Sequence, residues 1–323
     1  PMKEIKLYNI LLMIKDRGLY MENLLNKLIE KNKPLTKQGK VADYIPALSY
    51  ANPNELGICI MDIKGNIYCS GDYNKKFTIQ SISKVIALAL AIMDNGEDRV
   101  FKKVGVEGTY EAFNSFYKLD LRHEEKPANP MINSGAIVTT SLIHGKGNEK
   151  FNRLLQLIRN ILKDNTISYN EEVYISERKT GDKNRAMAYL LKNKGLIEGN
   201  VEEVLDSYFK QCSIELNCIE LAKLGFFFAN KGKLDGKKYC NERTINIITA
   251  IMNNCGMYNF SGEYAINVGV PSKSGVGGGI LAQVPNKYGI GIYGPALDEY
   301  GNSIGGYGLI KDLSQELNLS LFK

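Results

Sequence analysis

The chain has 323 residues, of which 44% are hydrophobic and 24% charged, and its formal net charge is +6. This composition is typical of a soluble globular protein, and the length allows two domains or one large two-layer fold. The lysines are scattered among glutamates, and no basic stripe is interleaved with aromatic side chains, so we expect no nucleic-acid partner.

The cysteines and histidines indicate whether the protein binds a metal or cofactor and in which cellular compartment it is expected. The six cysteines form no C-x-x-C pair, and the histidines, His123 and His144, are not at metal-ligand spacing, so we expect no metal and no cofactor. The apolar patch at residues 10–14 is too short for a signal-peptide core or a membrane span. We therefore expect free thiols, a cytoplasmic location and no membrane partner.

The N-terminal third begins with helical periodicity and continues with a hairpin. Residues 6–32 predict an amphipathic helix pair, since apolar residues recur at helical spacing. The residues that carry this pattern are Leu7, Ile10, Leu11, Ile14, Leu24, Leu25, Leu28 and Ile29. Residues 56–63 and 66–70 predict two strands, and Lys64-Gly65 between them indicates a hairpin turn.

A long helical block follows, and β-type sequence returns near the C-terminus. Residues 81–231 are helical in pattern almost throughout, with the clearest helices at 151–162, 184–192, 201–211 and 219–229. A turn at 233–236 precedes a helix at 242–252. Strands are predicted at 280–284, at 288–293 and in the glycine-rich stretch up to Gly308, before a closing helix at 311–317.

Strands that lie about 200 residues apart must share one sheet if the protein has a single sheet core. We therefore predict an α+β fold interrupted by a helical insertion. The expected division is a discontinuous α/β sheet domain, residues 1–75 and 235–323, and a helical domain, residues 76–234. The cleft between the two parts is the expected ligand site.

The strongest chemical signal is the S-x-x-K pattern of Ser81 and Lys84. Three positions apart at a helix start, the two side chains share one face. A serine hydroxyl needs a neighbouring base to become a nucleophile, and a lysine serves when burial lowers its pKa from about 10.4 towards neutrality.

A second signal lies near the C-terminus, where Lys273-Ser274-Gly275 precedes a glycine run. S-x-x-K followed much later by K-[ST]-G is the combination used by penicillin-recognising serine enzymes. The backbone N–H groups of Ser81 and Val276 are therefore candidates for an oxyanion hole. The glycine run lacks the Gly-Lys-Ser/Thr of a phosphate loop, so it indicates a turn where backbones approach closely.

Six ordered motifs, spread over most of the chain, resemble those of the serine-dependent glutaminase family. They are QSISK at 80–84, NPMIN at 129–133, ERKTG at 177–181, NRAMA at 184–188, CGMY at 255–258 and SGVGGG at 274–279. The departures are Lys183 where arginine is usual, Ser134 where alanine is usual, and Asn259 where aspartate commonly follows the tyrosine.

The resemblance implies a fold of the β-lactamase and penicillin-binding-protein type, an antiparallel sheet flanked by helices with an inserted all-helical domain. It also implies hydrolysis of L-glutamine to L-glutamate and ammonia, with Ser81 as nucleophile and Lys84 as base. The positions that match substrate contacts are Tyr44, Gln80, Ser81, Asn133, Glu177, Asn184, Tyr208, Tyr258 and Val276. Tyr208 and Tyr258 are also candidates for relaying a proton to ammonia, and by analogy the protein is expected to be a homodimer or homotetramer.

Two other functions remain open from the sequence alone. One is another acyl-enzyme hydrolase of the same fold, such as a protein that binds or hydrolyses β-lactams. The other is a non-catalytic amino-acid binding protein, although binding alone would not require Ser81, Lys84 and Lys273.

Overall fold

The computed structural model describes residues 18–115 and 126–323. Its helices are α1 (residues 18–32), α2 (Ser83–Asn95), α3 (Glu97–Lys103), α4 (Asn133–Leu142), α5 (Glu149–Leu162), α6 (Glu171–Thr180), α7 (Asp182–Asn193), α8 (Val201–Cys212), α9 (Cys218–Ala229), α10 (Glu242–Cys255), α11 (Ser261–Asn267) and α12 (Ile304–Leu317). Its strands are β1 (Gly57–Asp62), β2 (Ile67–Gly71), β3 (Phe77–Thr78), β4 (Glu215–Leu216), β5 (Lys233–Leu234), β6 (Lys237–Lys238), β7 (Ser272–Ser274), β8 (Gly279–Val284) and β9 (Tyr288–Tyr293). Short 3₁₀ turns occupy Lys33–Gln38, Pro46–Leu48, Gln80–Ile82 and Tyr258–Phe260.

The central feature is a five-stranded antiparallel sheet in the order β2-β1-β9-β8-β7. β1 and β2 form the predicted hairpin, with Cys59 opposite Cys69. β1 also pairs with β9, so strands from the two ends of the chain share the sheet, as expected from the order of elements. The α+β fold predicted from the sequence is confirmed.

Each face of the sheet packs against its own hydrophobic cluster, because successive side chains on a strand point to opposite faces. Ile58 and Ile60 of β1 join the cluster that contains residues of α1 and α12. Cys59 of β1 and Leu281 of β8 join the cluster that contains α2 and α9. On this side, Gly289 and Gly291 of β9 let the backbone of α9 approach so closely that a Cβ at either position would overlap it.

The expected division into a sheet domain and a helical domain stays a prediction. Helices α2 and α4 pack against each other, and every residue from Ser83 to Ile92 in α2 is buried. α9, which lies inside the predicted helical range, packs against β9, β8 and β1 of the sheet.

Two segments differ from the secondary structure predicted for them. The glycine-rich stretch before Gly308 does not continue as a strand, because Ser303 caps the start of α12 by accepting a hydrogen bond from Gly306 N at 3.0 Å. The turn at 233–236 lies within a small hairpin of β5 and β6. Of the predicted N-terminal helix pair, residues 18–32 are helical, and residues 6–17 lie outside the described residues.

The expectation of free thiols is wrong for one pair of cysteines. Cys59 and Cys69 face each other across β1 and β2, with their Cα atoms 4.2 Å apart, and they form a disulfide. The pairing register that brings them together is not readable from their spacing in the sequence. The thiols of Cys212, Cys218, Cys240 and Cys255 are free and buried.

Within residues 18–115 and 126–323, every helix is too short or too polar to cross a membrane.

Ser134, the unusual serine of α4, generates a prediction about stability. Its side chain is buried, and its Oγ has no hydrogen-bond partner among the described residues. A buried unpaired hydroxyl costs about 1–3 kcal/mol, so we expect Ser134→Ala to raise the free energy of unfolding by about 1 kcal/mol in urea titrations. Ser141→Ala on the same helix is the matched control. It removes a hydroxyl that donates to Val138 O at 2.7 Å, and it should lower stability. A destabilised Ser134→Ala protein would contradict this account.

Candidate active site

Ser81 lies in the 3₁₀ turn between β3 and α2, just before the helix rather than within it. The preceding residue, Gln80, has a φ of 47°, a left-handed conformation that is uncommon for a non-glycine residue. Such strain persists only where the surrounding structure enforces it. Here the turn is fixed by Ser83, whose hydroxyl donates to Gln80 O at 2.7 Å.

Lys84 follows one turn later and has no exposed surface. Its Nζ donates to Asn133 Oδ1 at 2.7 Å and to Met131 O at 3.1 Å. Burial lowers the pKa of Lys84 to about 8, although Cys212 and Glu177 act in the opposite direction. The amine is therefore uncharged in a minority of molecules at pH 7 and in about half of them near pH 8.

The acceptors of Lys84 come from the loop that leads into α4. Asn129 Oδ1 accepts hydrogen bonds from Met131 N at 2.9 Å and Ile132 N at 3.2 Å, which fixes this loop. Close packing of α4 on the loop requires Gly135, because a Cβ there would overlap the Asn129 carbonyl. The Asn133 amide donates to Asn184 Oδ1 at 3.1 Å, so α4 and α7 meet at the site.

Glu177 projects from α6 and is buried with 7% of its surface exposed. Burial raises its pKa to about 7, opposed by a hydrogen bond with Gln80 and by the charge of Lys84. Glu177 and Lys84 thus interact electrostatically across the site. A buried carboxyl group with a raised pKa loses its proton more readily when a cation binds next to it.

Tyr258 stands on the sheet side of the site and is a second non-glycine residue with a left-handed backbone, at φ 57°. Its hydroxyl donates to Ser274 O at 3.2 Å. The hydroxyl of Ser81 interacts with the phenol and partly offsets the effect of burial on its pKa. Burial raises the pKa of Tyr258 well above its ordinary value. The tyrosine therefore remains a neutral phenol next to the candidate nucleophile.

Lys273, from the K-S-G triplet, was not among the predicted site residues, yet it lies directly against Tyr258. Its Nζ is 4.2 Å from the centre of the Tyr258 ring. The same nitrogen donates to Gly256 O at 3.0 Å and Ser274 O at 2.6 Å. Burial, reinforced by the charge of Lys84, lowers the pKa of Lys273 well below its ordinary value. The triplet itself was the sequence signal that pointed to this residue.

Two further tyrosines face the same centre. Tyr208 of α8 is buried, and burial raises its pKa well above the ordinary value, with Cys212 and Glu177 adding to the effect. Tyr44 is half exposed, yet its hydroxyl is desolvated, and Glu177 and Tyr258 further raise its pKa. Both rings therefore present neutral hydroxyls to the site.

The glycine run holds Val276 beside the Ser81 turn. A Cβ on Gly275 would lie 2.5 Å from Ile79 O, and one on Gly277 would overlap Thr78 O. Only glycine lets these two backbones come so close, which confirms the close approach expected from the sequence. Val276 lies between the two glycines, so its backbone is next to the residues that precede Ser81.

A cavity of about 740 Å³ opens beside this centre. Tyr44, Val276 and Asn259 are among the residues that line it. Its volume is within the range of small-molecule sites. The structure therefore brings predicted site residues from α2, α4, α6, α7, α8 and the turns at Tyr258 and Val276 together in one largely buried, polar pocket beside this opening.

Comparison with known proteins agrees with the motifs. A family model described as Glutaminase matches residues 39–322. Glutaminase 2 of Clostridium perfringens is 53% identical over 305 residues, which cover 94% of this chain and 100% of that protein. The crystal structure of a probable glutaminase from Bacillus subtilis has a TM-score of 0.87 at 39% identity, and the match covers 93% of this chain and 97% of that chain.

A further Bacillus subtilis structure is a covalent complex of a glutaminase with 5-oxo-L-norleucine, formed by reaction with 6-diazo-5-oxo-L-norleucine. It has a TM-score of 0.86 at 39% identity, and the match covers 93% of this chain and 99% of that chain.

The electrostatic link between Glu177 and Lys84 generates a prediction that needs no substrate. We expect the Glu177 carboxyl to titrate near pH 7, as followed by its ¹³C resonance in NMR. In Lys84→Met the pKa of Glu177 should rise, because the cation that stabilises the carboxylate is gone. Lys183→Met on the exposed surface of α7 is the control and should leave it unchanged. A Glu177 pKa near 4.5 would contradict the burial described here.

Proposed function

The chain belongs to the glutaminase family, and we propose that Ser81 carries its reaction, the hydrolysis of the L-glutamine side-chain amide to L-glutamate and ammonia. The expectation of an amidohydrolase that acts on glutamine is confirmed by this membership. The observation that carries the proposal is that Ser81 lies in a buried turn, three residues before the buried Lys84, and interacts with the phenol of Tyr258.

The first step forms an ester. Ser81 Oγ attacks the side-chain carbonyl carbon of glutamine, the hydroxyl proton leaves, and a tetrahedral oxyanion develops. A related enzyme forms a covalent complex when it reacts with 6-diazo-5-oxo-L-norleucine, a glutamine analogue with a diazoketone in place of the amide, which supports a nucleophilic mechanism for this chain. Loss of ammonia leaves a glutamyl ester on Ser81, which water then hydrolyses.

Lys84 is the proposed base. An uncharged amine has two N–H bonds and one lone pair, and the two N–H groups of Lys84 are used by Asn133 Oδ1 and Met131 O. The lone pair then remains for the hydroxyl of Ser81, one turn earlier. The pKa of about 8 makes this state accessible near neutral pH.

The remaining groups assist the transition state. The backbone N–H groups of Ser81 and Val276 are the proposed oxyanion donors, supported by the close packing of the glycine run on the Ser81 turn. Tyr258, whose phenol interacts with Ser81 and stays protonated, is the proposed donor of a proton to the departing ammonia. Tyr208 is the second candidate for this transfer.

Recognition of an amino acid requires groups for both of its charges. Glu177 is the proposed partner of the substrate ammonium, since its carboxylate becomes favourable when a cation neutralises it. The amides of Asn133 and Asn184, with the hydroxyl of Tyr44 and the amide of Gln80, are the proposed partners of the carboxylate and the side-chain amide.

We also propose that the protein assembles as a homodimer or homotetramer. Large apolar side chains at the surface, such as Ile266 with 87% and Phe322 with 63% of their area exposed, support an interface between copies. Light scattering during gel filtration tests this directly, and a monomeric mass would contradict it.

The cytoplasmic location stays a prediction. The four buried free cysteines favour it, whereas the Cys59–Cys69 disulfide is typical of oxidising compartments. Fractionation of cells that express the chain tests it.

Ser81→Ala tests the nucleophile. We expect ammonia release from glutamine to be abolished, while calorimetry still shows glutamine binding, because the recognition groups are unchanged. Mass spectrometry should show an adduct of 6-diazo-5-oxo-L-norleucine on the unaltered protein and none on the variant. An active Ser81→Ala protein would overturn the assignment.

Glutamine binding by the unaltered protein without ammonia release would favour the binding-protein alternative, and acylation by penicillin without ammonia release would favour the β-lactam alternative.

The two shifted ionisations predict a split pH profile. If Lys84 must be uncharged, kcat should rise along an alkaline limb with a midpoint near pH 8. If Glu177 must be ionised, KM should fall as the pH increases through about 7. Glu177→Gln should raise KM about 10-fold or more and remove its pH dependence, while keeping the limb in kcat. An unchanged KM in this variant would remove Glu177 from the ammonium role.

Gly275→Ala tests the oxyanion loop. Its methyl group would lie 2.5 Å from Ile79 O, so the loop must move and carry Val276 away from Ser81. We expect kcat to fall about 100-fold, the typical effect of losing one oxyanion donor, with a smaller change in KM. Gly262→Ala is the matched control, because a Cβ there meets nothing within 4 Å. Equal kcat values for the two variants would contradict the role of Val276.

A further inference from the structure

One buried amide beside the site has no part in the chemistry proposed so far. Asn129 is the first residue of the NPMIN motif, and 1% of its surface is exposed. Its Oδ1 accepts hydrogen bonds from Met131 N at 2.9 Å and from Ile132 N at 3.2 Å. Its Nδ2 donates to Glu107 O at 2.7 Å. The side chain is therefore held at both ends of its amide group.

The contact with Glu107 belongs to a segment that runs beside the motif. Gly105 N donates to Pro127 O at 2.7 Å, and Glu107 N donates to Ala128 O at 2.9 Å. These backbone hydrogen bonds pair the two segments up to Asn129, and the Asn129 side chain adds one more contact to the same pairing. Its Oδ1 is therefore presented to the following turn from a fixed position.

The contact with Ile132 fixes the direction of the Met131 carbonyl. Met131 C=O and Ile132 N–H belong to one peptide group, which is trans. A trans peptide group is planar, and its C=O and N–H point in opposite directions. Because Asn129 Oδ1 binds the N–H on one side, the carbonyl oxygen is directed to the other side. There Lys84 Nζ donates to it at 3.1 Å.

We propose that Asn129 is a positioning residue of the hydrolytic reaction, which orients the Met131 carbonyl as one of two acceptors for the Lys84 amine. Asn133 Oδ1 is the other acceptor, at 2.7 Å. With both N–H groups of the uncharged amine held, its lone pair is directed to the Ser81 hydroxyl, whereas one acceptor alone would let the amine rotate about its last bond. The inference rests on the proposed function, since it concerns the base that is proposed to activate Ser81.

A role in positioning and a role in folding alone predict opposite changes in the ionisation of Lys84. The titratable groups that face this amine, Glu177 of α6, Cys212 of α8 and Lys273 of β7, are the same in both cases. Loss of one carbonyl acceptor destabilises the ammonium more than the uncharged amine, so it lowers the pKa further. A loosened pocket would admit water and raise the pKa towards about 10.4.

Asn129→Ala tests the inference. We expect kcat for ammonia release to fall about 10-fold, the effect of one lost hydrogen bond, while KM changes less than about 3-fold. The midpoint of the alkaline limb in kcat should move below pH 8, and a ¹³C NMR titration of the Lys84 side chain without substrate should show the same shift. Asn129→Ser, whose hydroxyl accepts from the same N–H groups more weakly, should recover part of the loss.

Asn32→Ala is the matched control. It removes a buried amide between α1 and α12 that donates to Leu28 O at 3.0 Å and to Asp312 Oδ2 at 2.8 Å. It should lower the temperature of thermal unfolding and leave kcat and the pKa of Lys84 unchanged.

An Asn129→Ala protein with unchanged kcat, or with a Lys84 pKa that rises, would overturn the inference. Should Asn129→Ala fail to fold, Asn129→Ser carries the test, with a reduced kcat and a lowered Lys84 pKa expected and unchanged values overturning the inference. An unaltered protein that releases no ammonia would instead refute the proposed function, and the NMR titration would still test the contact between Asn129 and the acceptor of Lys84.

Discussion

Lys84 lies in a helix that is buried from Ser83 to Ile92, with its nitrogen between two oxygen acceptors. An ammonium group in such a place loses its hydration, and this loss brings the pKa down to about 8. The surrounding architecture maintains the burial. α4 packs along α2 and supplies Asn133, while the loop before α4 turns the Met131 carbonyl inward. The proposed activation of Ser81 depends on this one desolvated amine.

Strain and close packing are concentrated at the same point. Gln80 precedes Ser81, Tyr258 lies beside it, and both residues have left-handed backbones. The glycine run packs so closely against the Ser81 turn that a Cβ on Gly275 or Gly277 would overlap a backbone oxygen. Non-glycine residues keep such conformations only when their neighbours enforce them. Here the Ser83 hydroxyl donates to Gln80 O, and Ser274 O accepts hydrogen bonds from the Tyr258 hydroxyl and from Lys273 Nζ. Side-chain donors bonded to backbone carbonyls thus help to fix both turns of the pocket.

Local patterns predicted the hairpin, most helices and the pairing of distant strands, because alternation and helical spacing depend on neighbours in the chain. Prediction failed at one local helix cap and where a longer-range contact decided the outcome. The glycine-rich stretch before Gly308 looked like a strand, but Ser303 caps a helix there. Cys59 and Cys69 looked like free thiols, but the register of the hairpin places them opposite each other. Lys273 was visible in its triplet, yet its contact with Tyr258 depends on the packing of β7 against the turn at Tyr258.

The amino-acid sequence by itself determined the fold class and the family and predicted the reactive pair, since motifs of this length and order rarely arise by chance. The tertiary structure alone decided which groups have shifted pKa values and which side chains contact one another. The pKa values of Lys84 and Glu177 come from burial, and burial is a property of packed helices rather than of neighbouring residues.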